Sequence, residues 1–196
     1  MNPIEVLTFW FGAPWDQDPI PKDISARWFK KSNTFDREIH NRFHSLWLQF
    51  QSGIPAHWLD SPPARLAAVL VCDQFPRNMF RDSAAMYQSD DLALSLARMA
   101  VAQNDHLVLP ATQAVFLLLP FEHSESLEDQ EQCLALFDAL IQTHGASATL
   151  QNYRTYAVKH RDIIAEFGRF PHRNSLLGRP NQPNEVLFLQ KPGSRF

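Results

Sequence analysis

Ile24-Ser-Ala-Arg-Trp-Phe-Lys-Lys-Ser-Asn-Thr-Phe-Asp-Arg-Glu-Ile-His-Asn-Arg-Phe-His-Ser-Leu-Trp-Leu-Gln-Phe50 is the stretch that decides the fold. Its large apolar residues are Ile24, Trp28, Phe35, Ile39, Phe43, Trp47 and Phe50. They recur mostly at helical intervals, which predicts a long amphipathic helix from Ile24 to Phe50. The same periodicity continues outward. A helix from Pro62 to about Phe75 starts behind Ser61, a good N-cap, with prolines in its first turn. Further helices are predicted over Asp90 to Asn104, Pro110 to about Pro120, and Leu150 to Phe167. Ser126-Leu-Glu-Asp129 resembles a capping box and opens another, ending at His144, and a short helix holds Val186 to Leu189. Gly12, Gly53, Gly145 and Gly168 each close such a stretch, where a left-handed residue ends a helix. No strand alternation competes, so the expectation is an all-α array forming one domain over residues 1–196.

Composition narrows the function classes. The 196 residues are 45% hydrophobic and 20% charged, enough to bury one sizeable core. A formal net charge of -3 supplies no overall positive field, so neither nucleic acid nor an acidic membrane surface is expected as main partner. Cys72 and Cys133 fall in apolar helical stretches and indicate neither a disulfide framework nor a zinc site. The first residues lack a basic leader, and the longest apolar segment, Ala114 to Phe121, is far shorter than the roughly 20 residues a span needs. A cytoplasmic protein without a membrane segment is expected. The chain has no glycine-rich phosphate loop, and no cofactor is expected.

A polar phrase occurs twice, as Asp73-Gln-Phe-Pro-Arg-Asn78 and, with one residue inserted, as Arg169-Phe-Pro-His-Arg-Asn174. The prolines are expected to stop a helix, with Phe75 and Phe170 packed inward and Arg77, Asn78, His172, Arg173 and Asn174 projecting from the turn. Three residues also sit on apolar helix faces: Arg42, Asp73 and His160. A buried charge needs a partner, which suggests Arg42 with Asp73 and a shared polar centre. The corner at Glu122, His123 and Glu125 is expected to join it. Arg161, Arg169, Arg173 and Arg179 make the C-terminal third locally basic, a density suited to gripping a carboxylate or phosphate. The competing reading is that Arg77, Asn78, Arg173 and Asn174 only cap helix ends. Ser124 lacks the strand-turn-helix elbow of a nucleophile, and His123-Ser-Glu125 with His160-Arg-Asp162 has no recognised metal-ligand spacing. No metal is expected.

Val6-Leu-Thr-Phe-Trp-Phe-Gly12, Trp28-Phe29, Phe35-Asp-Arg-Glu-Ile-His-Asn-Arg-Phe43 and Asp73-Gln-Phe-Pro-Arg-Asn-Met-Phe-Arg81 resemble a bacterial family, domain of unknown function 924. Leu119-Pro-Phe-Glu-His-Ser-Glu125, the run from His160 to Asn174, and Leu177-Gly-Arg179 are similar to the same signature, so the resemblance spans essentially the whole chain. It implies an all-helical fold akin to tetratricopeptide-repeat superhelices, although no period of about 34 residues is visible. It carries no established activity. The chain departs from the family pattern at Pro180-Asn-Gln-Pro183.

The function expected from the residues is binding of a small anionic molecule in a centre built from Arg42, Asp73, Arg77, Asn78, His123, Glu125, His160, Arg161, Arg169, His172, Arg173 and Asn174. Two alternatives stand beside it. One is a cofactor-independent hydrolase or transferase, with His160 or His123 as general base oriented by Glu125 or Asp73. The other is a scaffold that holds a peptide partner through exposed aromatics such as Trp10 or Trp15.

Overall fold

In the computed structural model, which describes residues 1 to 194, every regular element among the described residues is helical. The α-helices are α1 (Pro3–Phe11), α2 (Lys22–Ser25), α3 (Asn33–Ser52), α4 (Pro62–Met79), α5 (Asp90–Ala102), α6 (Asp105–Val108), α7 (Ala111–Glu122), α8 (Leu127–His144), α9 (Ala148–Phe167) and α10 (Pro183–Leu189). Short 3-10 turns occupy Ala56–Trp58, Ala84–Tyr87 and Pro171–Arg173. Among the described residues no helix is long and apolar enough to cross a membrane.

Two helices carry the core. Every residue from Ala64 to Pro76 in α4 and from Thr112 to Glu122 in α7 is buried, as expected for helices that are apolar around most of their circumference. The two pack on each other; α1, α3 and α5 cover α4, while α5, α8 and α9 cover α7. Helix α1 fills the corner between them. Phe9 meets Phe43 with ring centroids 4.9 Å apart, and Trp10 meets Phe75 at 5.6 Å and Phe116 at 5.7 Å. Phe9, Trp10 and Phe11 are all buried, so Trp10 is no exposed aromatic. Gly12 ends α1 at φ 93°, which favours glycine, and a Cβ there would lie 2.5 Å from Ile24 Cδ1, so the end of that side chain would have to turn aside.

The helix expected from Ile24 to Phe50 is broken. Ser32 accepts a hydrogen bond from Phe35 N at 3.4 Å and starts α3 at Asn33. Ile24 lies in α2, and Trp28, beyond it, donates from Nε1 to Trp10 O at 2.9 Å. Both face the same core as α3, so their spacing mimicked one helix.

Proline did not stop α4. The helix runs through Pro76 to Met79. Proline removes the N–H that would bond the Cys72 carbonyl. That carbonyl instead accepts from Ser89 Oγ at 2.6 Å, and Ser89 Oγ accepts from Trp47 Nε1 at 2.9 Å. Helix α7 likewise includes Pro120. The glycine stops hold: Gly12, Gly53, Gly145 and Gly168 all take positive φ at helix ends.

Candidate functional site

The C-terminal ends of α4 and α7 bring their last polar residues together under the 171–173 turn. Asp73 is fully buried, and its Oδ1 lies 2.7 Å from His123 Nδ1. Gln74 donates to Asp73 Oδ2 at 2.6 Å. Burial alone would raise the Asp73 carboxyl; the charges of His123 and Arg77 and these hydrogen bonds outweigh it and hold its pKa well below the usual carboxylate range. An ionised carboxylate only accepts, so Nδ1 of His123 carries the proton and the lone pair lies on Nε2. Among the described residues no hydrogen bond engages Nε2. Burial and Arg77 push the His123 pKa below the ordinary imidazole value against the pull of Asp73.

Arg77 extends the network. It donates to the Asp73 backbone at 3.0 Å and forks onto Asp90 at 2.8 and 3.2 Å. Arg173 Nη1 reaches the same Asp90 carboxylate at 3.3 Å, and its Nη2 donates to His123 O at 2.8 Å. The Arg173 guanidinium lies between the Tyr87 and Phe170 rings, 4.7 and 4.5 Å from their centroids. Its buried Nε has no hydrogen-bond partner among the described residues.

A second acid–imidazole pair adjoins the first. Glu122 Oε1 lies 3.0 Å from His160 Nδ1, which also faces Tyr156 O at 2.9 Å. The carbonyl can only accept, so Nδ1 carries the proton here too. Burial and the charge of Asp73 push the Glu122 pKa up to about 8. Burial, then His123, His172 and Arg173, hold His160 far below its ordinary value, against the Tyr156 carbonyl. Near neutral pH the pair is therefore a protonated acid and a neutral imidazole. Glu122 Oε2 is buried with no hydrogen-bond partner among the described residues.

Several predicted residues lie elsewhere. Arg42 is exposed, 3.5 Å from Glu38 and over the Phe9 ring at 4.5 Å, because Phe43 rather than residue 42 shares the face of Ile39. Asp73 therefore pairs with Arg77 and His123. Asn78 donates to Asp36 at 2.9 Å beside the Arg81–Asp36 fork. Arg161 meets Glu131 at 3.1 Å and Asp162 at 2.9 Å on the outer side of α9. Glu125, Arg169 and Asn174 form a neighbouring cluster. Glu125 accepts from Arg179 at 2.6 and 2.9 Å and from Phe170 N at 2.7 Å, while Arg169 forks onto Glu185 at 2.6 and 2.8 Å. Asn174 bridges to Glu185, Asn181 and Arg179. The Pro180 carbonyl accepts from Arg169 at 2.9 Å, so the atypical turn supports this cluster. His172 is half-buried, its ring 5.6 Å from that of Phe170.

Residues that sequence reasoning missed are Asp90, Tyr87, Gln74 and Glu185. Asp90 was legible only as the start of α5. Ser124 donates to Asp129 at 2.7 Å, and the N-cap that opens α8 is Ser126, whose hydroxyl accepts from Asp129 N. Among the described residues no group of three or more His, Cys, Asp or Glu is placed to hold a metal ion.

Comparison with known proteins agrees with the fold. A solved protein of unknown function from Agrobacterium tumefaciens superposes with a TM-score of 0.81 and is 34% identical, over 96% of each chain. No curated protein matches the chain. Residues 6–193 match the profile described as bacterial protein of unknown function (DUF924), and the chain belongs to that family.

Proposed function

We propose that this protein acts in the cytoplasm as a binder of a compact oxyanion bearing a hydroxyl group, such as a phosphate monoester or hydroxycarboxylate, at the Asp73–His123–Arg173 centre. One observation carries the reading: three neighbouring polar groups lack hydrogen-bond partners among the described residues. Arg173 Nε is a donor, Glu122 Oε2 in its protonated form is another, and His123 Nε2 is an acceptor. Arg173 Nε and Glu122 Oε2 are buried, and a buried polar group left unmade costs roughly 1 to 3 kcal/mol, which a ligand that matches it recovers. An anionic oxygen suits the donors, and a hydroxyl suits Nε2. Asp90 supports the class of ligand, because its carboxylate already lies in the fork of Arg77 and Arg173. Asp73 holds His123 in the tautomer of a general base, so proton transfer from the bound hydroxyl is the chemistry available, in a hydrolytic or transfer reaction.

The test is a thermal-shift titration with inorganic phosphate, phosphate monoesters and hydroxycarboxylates, where ligand at about 100 times its Kd adds roughly 2.7 kcal/mol. A saturable shift lost in His123→Asn supports the reading. No shift with any of these classes overturns it.

A peptide scaffold is the second reading. Its support is an open groove of about 840 Å3 between α1, α3 and the start of α4, where Pro3, Ile4 and Phe9 mix with Arg27, Glu38 and Arg42. Arg42→Glu would abolish capture of a peptide there and leave the anion titration unchanged.

A further inference from the structure

Outside both regions, α3 presents His40-Asn-Arg-Phe-His44. Residues four apart lie one above the other on a helix, the spacing by which two imidazoles of one helix take a single metal ion. Here the two rings are stacked, 12° from parallel with centroids 4.6 Å apart. His40 is exposed and His44 half-exposed. Their contacts are with rings: Phe80 lies edge-on to both, at 6.5 and 5.9 Å, and Trp47 lies 5.9 Å from His44. Among the described residues no hydrogen bond or ion pair engages either imidazole. Asp36, one turn earlier, is committed to Asn78 and Arg81 and supplies no third ligand.

We propose that His40 and His44 form a two-imidazole site for a divalent transition-metal ion, with Cu2+ preferred over Ni2+ and Zn2+. Nitrogen donors follow the order in which Cu2+ binds tightest among these ions, and hard oxygen-seeking Mg2+ and Ca2+ gain nothing from imidazole. Two donors leave the remaining positions to water, which square-planar Cu2+ tolerates better than tetrahedral Zn2+ does. Metal nitrogens sit about 2.0 to 2.1 Å from the ion. The rings must therefore converge at one edge, by a turn about the side-chain bonds of the exposed His40 toward the more tightly packed His44. Once bound, the ion clamps one turn of α3.

The experiment is calorimetric titration of the whole chain with Cu2+, Ni2+, Zn2+ and Mg2+, with tryptophan emission followed in parallel. Trp47 beside His44 makes Cu2+ a local quencher. The site predicts one saturable Cu2+ equivalent, tighter than Ni2+ or Zn2+, with quenching and no response to Mg2+. His40→Ala should weaken that equivalent at least tenfold and remove the matching part of the quench without lowering Tm, since the residue is exposed. His44→Ala should do the same to the binding. Cu2+ binding unchanged in both variants, or no saturable equivalent in the wild type, overturns the proposal.

Discussion

Helix α4 carries a buried charge cluster at each end, and the two are built on different plans. Near its start, Arg65 forks onto Asp105 at 2.6 and 2.7 Å and spends its third nitrogen on Leu59 O. That pair is closed: each guanidinium nitrogen has a partner. Near its end, Asp73, Arg77, Asp90, His123 and Arg173 form a branched network in which one carboxylate serves two arginines. There three polar atoms remain without partners among the described residues. Both clusters bear the desolvation cost of buried charge; the first meets it with a partner for every guanidinium nitrogen, whereas the second leaves Arg173 Nε without one among the described residues. The contrast separates a structural ion pair from a site whose polar demand exceeds what the chain supplies.

The largest expected effect lies at the closed end. Asp105→Ala strands the Arg65 charge and should cost about 3 to 5 kcal/mol, read as a Tm fall of roughly 2 to 4 °C per kcal/mol for a chain of this size. A loss under about 1 kcal/mol would erase the contrast.

Ser89→Ala comes next. It leaves the Cys72 carbonyl without a donor at the Pro76 gap, an expected loss of about 1 to 3 kcal/mol by chemical denaturation. The same change loosens the start of α5, so it should also disturb Asp90 at the centre.

Asp90→Asn should act on binding rather than folding. Removing the resident carboxylate charge from the Arg77–Arg173 fork should tighten phosphate or hydroxycarboxylate about tenfold, near 1.4 kcal/mol. Weaker binding would mean that Asp90 belongs to the ligand contacts instead.

Glu122→Gln probes the sign of a pH effect. The folded-state pKa of Glu122 is raised to about 8 from an ordinary 4.5. Its contribution is therefore fully present below about pH 4.5 and is lost as pH rises through 8. The wild type should lose Tm relative to Glu122→Gln between pH 7 and 9, by a few degrees. Parallel pH profiles would show that the acid is not buried as described.

Helix existence was legible because apolar spacing, glycine stops and serine caps agree along the chain. Two boundaries were not. Ile24 and Trp28 keep the register of α3 across a break, and Pro76 stays helical because a serine 13 positions later, at 89, replaces its missing donor. The centre was half legible. Asp73 and His160 stood out as polar residues on apolar faces, and His123 and Arg173 as polar tips at helix ends. Arg42 failed because one residue of register, about 100° of rotation, separates it from the buried Phe43. Asp90 escaped because a helix-start aspartate has an adequate local reason to exist. Partners supplied by another element leave no mark in local periodicity.

On the proposed function the open network binds and the closed pair folds, and Arg173→Ala, measured for Tm and for the anion-induced shift in one experiment, tests that difference. Asp90 keeps Arg77 and the cost of burying the Arg173 charge is relieved, so the expected result is a stability loss below about 1 kcal/mol with the ligand shift abolished. A Tm fall as large as that of Asp105→Ala, with no anion shifting the wild type, would make the centre a second structural ion cluster and contradict it.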